Sequence, residues 1–417
     1  MAISDYSTTA ASNTTISGIN VDENCPPAGL NNAIRQMMAD LASWYSWLHV
    51  VSVVEYGAAG DGVTDDKADI QSAIDAVAAA GGGIVYFPSG NYLISGAINL
   101  KPSVSILGES TSSTVIKPSV NSIALITHTG AATTEFFFRV SNIQLSSNSK
   151  TGLYGILLTG NSESNRLSNI VIEDIYITGT FDYGLFLRYS VNIDVSRVFC
   201  TTCSIGYFQN DCADVDVSNV KIQNGSGVGF SIVGTAGATT YDEGFRGSNL
   251  STNGQDQGFV ATDMDFGNLV NCSFTTAAAT GGNAAVDFDN CTQWSLTNVE
   301  FAVAGGTPAK PGLLLQSDCE QFTVNSCNFL LNTFGAVLRG TKHALVGNSF
   351  HDNSNTDISI DATTYTTLSC NNCDSTGVAF SIVESGSSDY NNIIGNTCNG
   401  TITTSGANTN ESNNVTY

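Results

Sequence analysis

Residues 154–178 read YGILLTGNSESNRLSNIVIEDIYIT. Two kinds of segment are joined in this stretch. Gly155-Ile156-Leu157-Leu158 is a glycine followed by an apolar run, and Ile170-Val171-Ile172 and Ile175-Tyr176-Ile177 are alternating runs on either side of the polar pair Glu173-Asp174. A period of two is the mark of a strand with one buried face. The first segment recurs with Gly184, Gly206, Gly229, Gly258, Ala285, Gly312, Gly335, Asp357 and Gly377 at its head. The second recurs as Ile193-Asp194-Val195 with Ser196-Arg197, Val215-Asp216-Val217 with Ser218-Asn219, and Trp294-Ser295-Leu296 with Thr297-Asn298. Later copies are Phe322-Thr323-Val324 with Asn325-Ser326 and Leu368-Ser369-Cys370 with Asn371-Asn372. A unit of about 20–29 residues with three short strands cannot bury its apolar side alone. Stacked as coils about 4.8 Å apart, about ten such units form a rod of about 50 Å with one continuous core. The chain is therefore expected to be all-β, a parallel β-helix, with the polar pairs as a column of stacked amides at a tight bend.

Composition agrees with that reading. Of 417 residues only 12% are charged, 42% are hydrophobic, and there are 41 Gly and 7 Pro. A folded core is thus affordable in area, and disorder is excluded. The net charge of −23 repels phosphate backbones and anionic bilayers, so nucleic acid is not an expected partner. No apolar run reaches the ~18 residues of a membrane span, so no membrane insertion is expected. The opening MAISDYSTTAASNTT lacks the basic and apolar regions of a secretion signal, which predicts synthesis in a cytoplasm and exit by another route.

Two helices are predicted ahead of the coils. Leu30, Ile34, Met37, Leu41, Trp44 and Leu48 form a heptad seam, which either lies on the chain's own core or joins copies of the chain. A second helix is expected from Thr64, as its N-cap, to Ala80, with Ile70, Ile74, Val77 and Ala78 on one face. The Gly81-Gly82-Gly83 run follows this helix rather than preceding one, so it is no phosphate loop.

Val53-Val54-Glu55-Tyr56-Gly57-Ala58, Gly60-Asp61-Gly62, Thr64-Asp65-Asp66 and Ile84-Val85-Tyr86-Phe87-Pro88-Ser89-Gly90 resemble the opening of the pectate-lyase-like superfamily. The resemblance implies an N-terminal cap over the first coils of a right-handed parallel β-helix. Ile16-Ser17-Gly18-Ile19-Asn20, followed by the stretch from Cys25-Pro26-Pro27 through Leu41, resembles the N-terminus of bacteriophage tail fibre and tailspike proteins. That likeness implies residues 1–49 as a short helical virion-attachment segment that meets phage tail or adaptor proteins. It further implies a cap over 50–100, a β-helix over 101–400 and a tail over 401–417. The implied protein is a homotrimer in the virion tail, assembled in the host cytoplasm and freed by lysis, that meets a host surface glycan.

Glycan hydrolysis commonly uses two carboxylates. Asp194 and Asp216 occupy equivalent outward positions on neighbouring coils and are the candidate catalytic pair, mutual repulsion raising the pKa of one toward that of a general acid. In-register surface Asp with no chemistry is the competing reading, and hydrolysis, lysis and binding without turnover stay open. Tyr241, Asp242 and Glu243, beside Arg246 in a Thr235–Gly247 insertion, are candidate substrate contacts because long loops on rigid scaffolds carry function. Asp287 and Asp289, with Asp263 and Asp265 one coil earlier, form a second acidic cluster suited to a hard cation or sugar hydroxyls. Glu173 and Asp174 read as turn residues. Phe186 and Phe208, with Leu314 and Val337 in later coils, point outward, to stack on sugars or to fill a subunit interface. Cys200/Cys203 and Cys370/Cys373 carry metal-like spacing, but their register predicts buried thiols, as it does for Cys212, Cys291 and Cys319. With four scattered histidines, no metal site and no cofactor are expected. The polygalacturonase branch shares the text Asn355-Thr356-Asp357, without its companion motifs.

Overall fold

The computed structural model describes residues 15–16, 19–20, 27, 30, 32–37, 50–129, 137–234, 243–277, 284–304, 310–378 and 380–417. Alternation of apolar and polar residues produces three rows of parallel strands that wind as a β-solenoid. Among the described residues the glycine-headed row holds 13 strands, from Ile98–Asn99 to Thr401–Thr403, each bonded to its counterpart one coil away. At about 4.8 Å per coil that row is about 60 Å long. Long strands such as Leu167–Thr178 and Ser190–Thr201 serve both other rows, bending midway. The bend residue is left-handed in coil after coil, as at Asp174, Arg197, Asn219, Asn249, Asn271 and Asn298, a conformation that Asn and Asp tolerate better than other residues with a Cβ. The expected amide column is real in part: Asn249 Nδ2 donates to Asn219 Oδ1 at 3.2 Å, and Asn298 Nδ2 to Asn271 Oδ1 at 2.7 Å.

Most inward positions are apolar, with buried exceptions such as Gln209, Gln255 and Thr276, and the aromatics stack from coil to coil. Phe301, Phe329 and Phe350 form one pile with ring centroids 4.5 and 4.4 Å apart, and Trp294 fills the lumen against Phe288 at 4.9 Å. In the last coils a buried asparagine ladder replaces the apolar corner. Asn348, Asn371 and Asn396 each donate from backbone N and Nδ2 to the Oδ1 of the next, ending on Asn414, at 2.9–3.0 Å.

The glycine column is a packing requirement. A Cβ at Gly155 would lie 2.4 Å from the carbonyl oxygen of Gly184, and one at Gly184 2.6 Å from that of Gly206. In the coil before the last strand of this row the column passes through Ser381, which aligns with Asp357, and not through Gly377, because extra residues precede Phe380–Ser385. Strands at Asn410–Ser412 and Val415–Thr416 pair with the preceding coil, so the segment 401–417 continues the solenoid.

At the other end the helix Lys67–Ala79 packs Ile70, Ala73, Ile74 and Val77 on Gly83–Phe87 and the turn Val53–Tyr56. Its N-cap is Asp66, not Thr64, because Thr64 lies in the strand Asp61–Asp65 and its hydroxyl donates to Asp61 at 2.9 Å. The Asp66 carboxylate accepts from the Ala59 N–H at 2.6 Å instead of capping. In the heptad segment, backbone at 32–37 is helical, and Leu30, Ile34 and Met37 are 49%, 44% and 38% exposed. Leu41, Trp44 and Leu48 lie outside the described residues. Among the described residues no helix is long and apolar enough to cross a membrane.

Candidate functional site

Within Ser190–Thr201 and Ala213–Ser218, the inward residues Ile193, Val195, Val215 and Val217 are buried, which turns Asp194 and Asp216 to the surface. The two are register partners across adjacent strands. The same outward column runs Ser105, Arg139, Val171, Asp194, Asp216, Arg246, Asn268 and Ser295, one residue per coil. A groove of about 500 Å³ opens over it, with Phe137, Asn192 and Asp214 in its walls. A second groove, of about 510 Å³, continues over Ser105, Leu107, Arg139 and Glu173. Phe137 is 54% exposed and lines both grooves.

The charges in the groove are paired in a way the sequence did not disclose. Arg246 grips Asp216 with two bonds, Nε to Oδ1 at 2.6 Å and Nη2 to Oδ2 at 2.9 Å, and Asp214 stands 4.0 Å from the same guanidinium. The hydrogen bond to Asp216 raises the Arg246 pKa further above its ordinary value. The expected mutual repulsion of Asp194 and Asp216 is therefore relieved by a cation, and the argument for a repelled general acid loses its basis. Asp194 points into the groove beside this clamp. Arg246 does not lie in a loop as expected: Glu243–Ser248 is a strand whose Phe245 faces in and whose Arg246 faces out. The alternation Phe245-Arg246-Gly247 was the available signal.

A second charged network lies at the bend. Arg197 bonds Asp174 at 2.7 and 2.8 Å and Glu173 at 2.7 Å, and Arg139 reaches the other oxygen of Glu173. The Arg197 bond holds Asp174 below the usual carboxylate range. Asp174 is the left-handed turn residue that its place in the column predicted.

Other candidates fall elsewhere. Tyr241 and Asp242 lie outside the described residues, and Glu243 begins a strand opposite Asp265. Asp287 and Asp289 belong to the glycine-headed row, not to the groove row; Asp287 is 6% exposed and accepts from Gln316 at 3.1 Å. Asp263 accepts from Asn290 and Asp265 from Thr292, each at 2.5 Å. Among the described residues no group of three or more His, Cys, Asp or Glu is placed to hold a metal ion. Phe186 and Phe208 stack outward at 4.7 Å, with Tyr183 edge-on, but Leu314 and Val337 are only 6% and 8% exposed because Ala284 and Phe334 cover them. Those two are not available to an interface. Asp357 is buried in the lumen, where Asn353 and Ser375 donate to it, so the Asn-Thr-Asp text carries no surface carboxylate. Cys370 occupies the bend column and is exposed, contrary to the inward reading, whereas Cys373 is buried.

Comparison with known proteins gives the fold a name. Residues 50–149 match a family described as rhamnogalacturonase A/epimerase, pectate lyase-like. A mannuronan C5-epimerase, AlgE2 of Azotobacter vinelandii, is 49% identical over 73 residues, which are 16% of this chain and 7% of that protein. The chain thus spans a small part of the curated relatives it matches. Among solved structures, the A-module of the Azotobacter vinelandii epimerase AlgE6 superposes with a TM-score of 0.59 at 20% identity, covering 88% of this chain and 99% of that one. Tailspike protein 3 of bacteriophage CBA120 superposes with a TM-score of 0.60 at 14% identity, covering 88% and 61%. The fold is a pectate-lyase-like right-handed β-helix.

Proposed function

We propose that this chain is a bacteriophage tail fibre or tailspike protein that recognises a bacterial surface polysaccharide in the groove built by Phe137, Asp194, Asp214, Asp216 and Arg246. The observation that carries this reading is the groove itself, two depressions that share one exposed aromatic ring, lined by carboxylates and guanidinium groups. Carboxylates accept from sugar hydroxyls, the guanidinium donates to ring and hydroxyl oxygens, and an aromatic face takes the C–H side of a pyranose. The fold likeness to a tailspike supports the setting: a virion tail component, a homotrimer, joined to tail or adaptor proteins through residues 1–49, assembled in the host cytoplasm and released by lysis. The aromatic strip of Phe186 and Phe208 suits the contact between protomers, since it offers an uncharged surface on a strongly acidic chain.

Two uses of the groove differ in chemistry. Cleavage by a hydrolase or lyase needs Asp194 and Asp216 in distinct protonation states. The Arg246 clamp occupies both oxygens of Asp216, and this favours adhesion, with Asp194 as the ligand-facing carboxylate. Calorimetry with host capsule or lipopolysaccharide fragments, together with a reducing-end assay, tests both. Binding that weakens at least tenfold in Arg246→Ala is the expected result; undiminished binding in that variant and in Phe137→Ala refutes the groove. If the wild type releases sugar and Asp194→Asn and Asp216→Asn release it equally well, the pair is not catalytic.

A further inference from the structure

The buried thiols of the described residues fall into two groups. Seven of them, Cys200, Cys203, Cys212, Cys272, Cys291, Cys319 and Cys327, donate to backbone carbonyl oxygens at 3.2–3.9 Å. They are small hydrophobes whose weak donor is spent on the solenoid wall. The other two, Cys373 and Cys398, make no such bond to the backbone; their side chains contact each other, as those of Cys200 and Cys203 also do, but only Cys373 and Cys398 sit opposite one another on neighbouring strands. They are register partners on the adjacent strands Asn372–Cys373 and Thr397–Cys398, both face the lumen, and both are 0% exposed. In-register neighbours on paired strands have Cα atoms about 4.8 Å apart, inside the ~4.4–6.8 Å range of disulfides.

We propose that Cys373 and Cys398 are a cross-linking site: an intrachain disulfide between two successive coils, formed when the folded chain meets a small disulfide oxidant such as oxidised glutathione. The thiolate of Cys398 attacks one sulfur of the oxidant, forming a mixed disulfide and expelling one glutathione thiolate, which takes up the proton that Cys398 lost. Cys373, deprotonated in turn, attacks the Cys398 sulfur and expels the second glutathione. Two protein thiols are oxidised and one oxidised glutathione becomes two reduced ones. The hydrogen bond from Cys373 holds Cys398 below the usual thiol range, which makes Cys398 the attacking sulfur. Entry requires only local opening, because the strands concerned are two residues long and Thr397–Cys398 pairs on its far side with the two-residue Val415–Thr416. The bond would pin the asparagine-rich last coils, whose corner lacks the apolar packing of the earlier ones.

The test takes the full chain with and without oxidised glutathione, counts thiols in denaturant, and maps peptides by mass spectrometry without reduction. All 11 cysteines titrate before oxidation; afterwards two fewer titrate, and one peptide pair is linked through Cys373 and Cys398. Cys200→Ser/Cys203→Ser leaves this result unchanged, and Cys373→Ser yields no linked pair. Wild type that keeps every thiol, or loses two that map to other positions, overturns the proposal without reliance on any variant's folding.

Discussion

Replacing Asn371 by leucine would test whether the buried amide ladder holds the last coils together. Asn371 Oδ1 accepts from the backbone N and the Nδ2 of Asn348, both at 3.0 Å, and its Nδ2 donates to the Leu345 carbonyl at 3.0 Å. Leucine has the same branched heavy-atom skeleton with no polar atom. Asn348 Nδ2 keeps the Val324 carbonyl, and Asn396 Oδ1 keeps the backbone N–H of residue 371. What is left unpaired is the buried Asn348 N–H, together with one lone pair of Leu345. An orphaned buried donor costs about 1–3 kcal/mol, and added burial of leucine returns a part, so the net cost is about 1–2 kcal/mol. Each coil touches only its neighbours, so the loss is local. It is expected as roughly a 5- to 30-fold faster exchange of the Asn348 and Asn396 amide hydrogens, with little change at Ile156 or Leu185 in the early coils. Exchange at Asn348 unchanged within twofold would refute the reasoning, since water or a backbone shift would then be satisfying the N–H at no cost.

His343 gives a pH prediction. It is 1% exposed, its Nδ1 accepts from the Phe322 N–H, its Nε2 faces the Arg339 carbonyl at 2.8 Å, and burial pushes its pKa down to about 4. The unfolded histidine binds a proton below about 6.5 while the folded one refuses it until about 4, so stability is full above 6.5 and falls as pH drops through that window. The loss approaches about 3 kcal/mol and is flattened by His343→Asn, as read from denaturant midpoints between pH 4 and 7. Phe137→Ala should weaken glycan binding about fivefold to tenfold in calorimetry while leaving the melting temperature within a degree or so, because the ring is half exposed. Trp294→Ala should cost about 3–5 kcal/mol by chemical denaturation and leave a cavity against Phe288 and Phe245.

Much of the architecture is legible because the solenoid repeats one physical demand. Inward residues must be apolar and alternate, and Ile193-Asp194-Val195 over Val215-Asp216-Val217 states both the row and the register. Errors arise where a neighbour distant in sequence decides the outcome. Arg246 sits 30 residues after Asp216 across an insertion, and only the assembled sheet shows that it lands on that carboxylate. Leu314 and Val337 alternate as outward residues should, yet Ala284 and Phe334 cover them. Gly377 carries the right letter for its column, but strand pairing puts Ser381 at that register position. Thr64 has the chemistry of a cap and loses the role to Asp66 because strand pairing claims it first.

The outward column of the groove row places one side chain per coil over a core that does not sense its identity. Val195 and Val217 are buried on the face of their strands opposite to the side chains at 194 and 216. A lineage can therefore rewrite what the rod grips one letter at a time, each change altering a single rung of the contact and none of the folding.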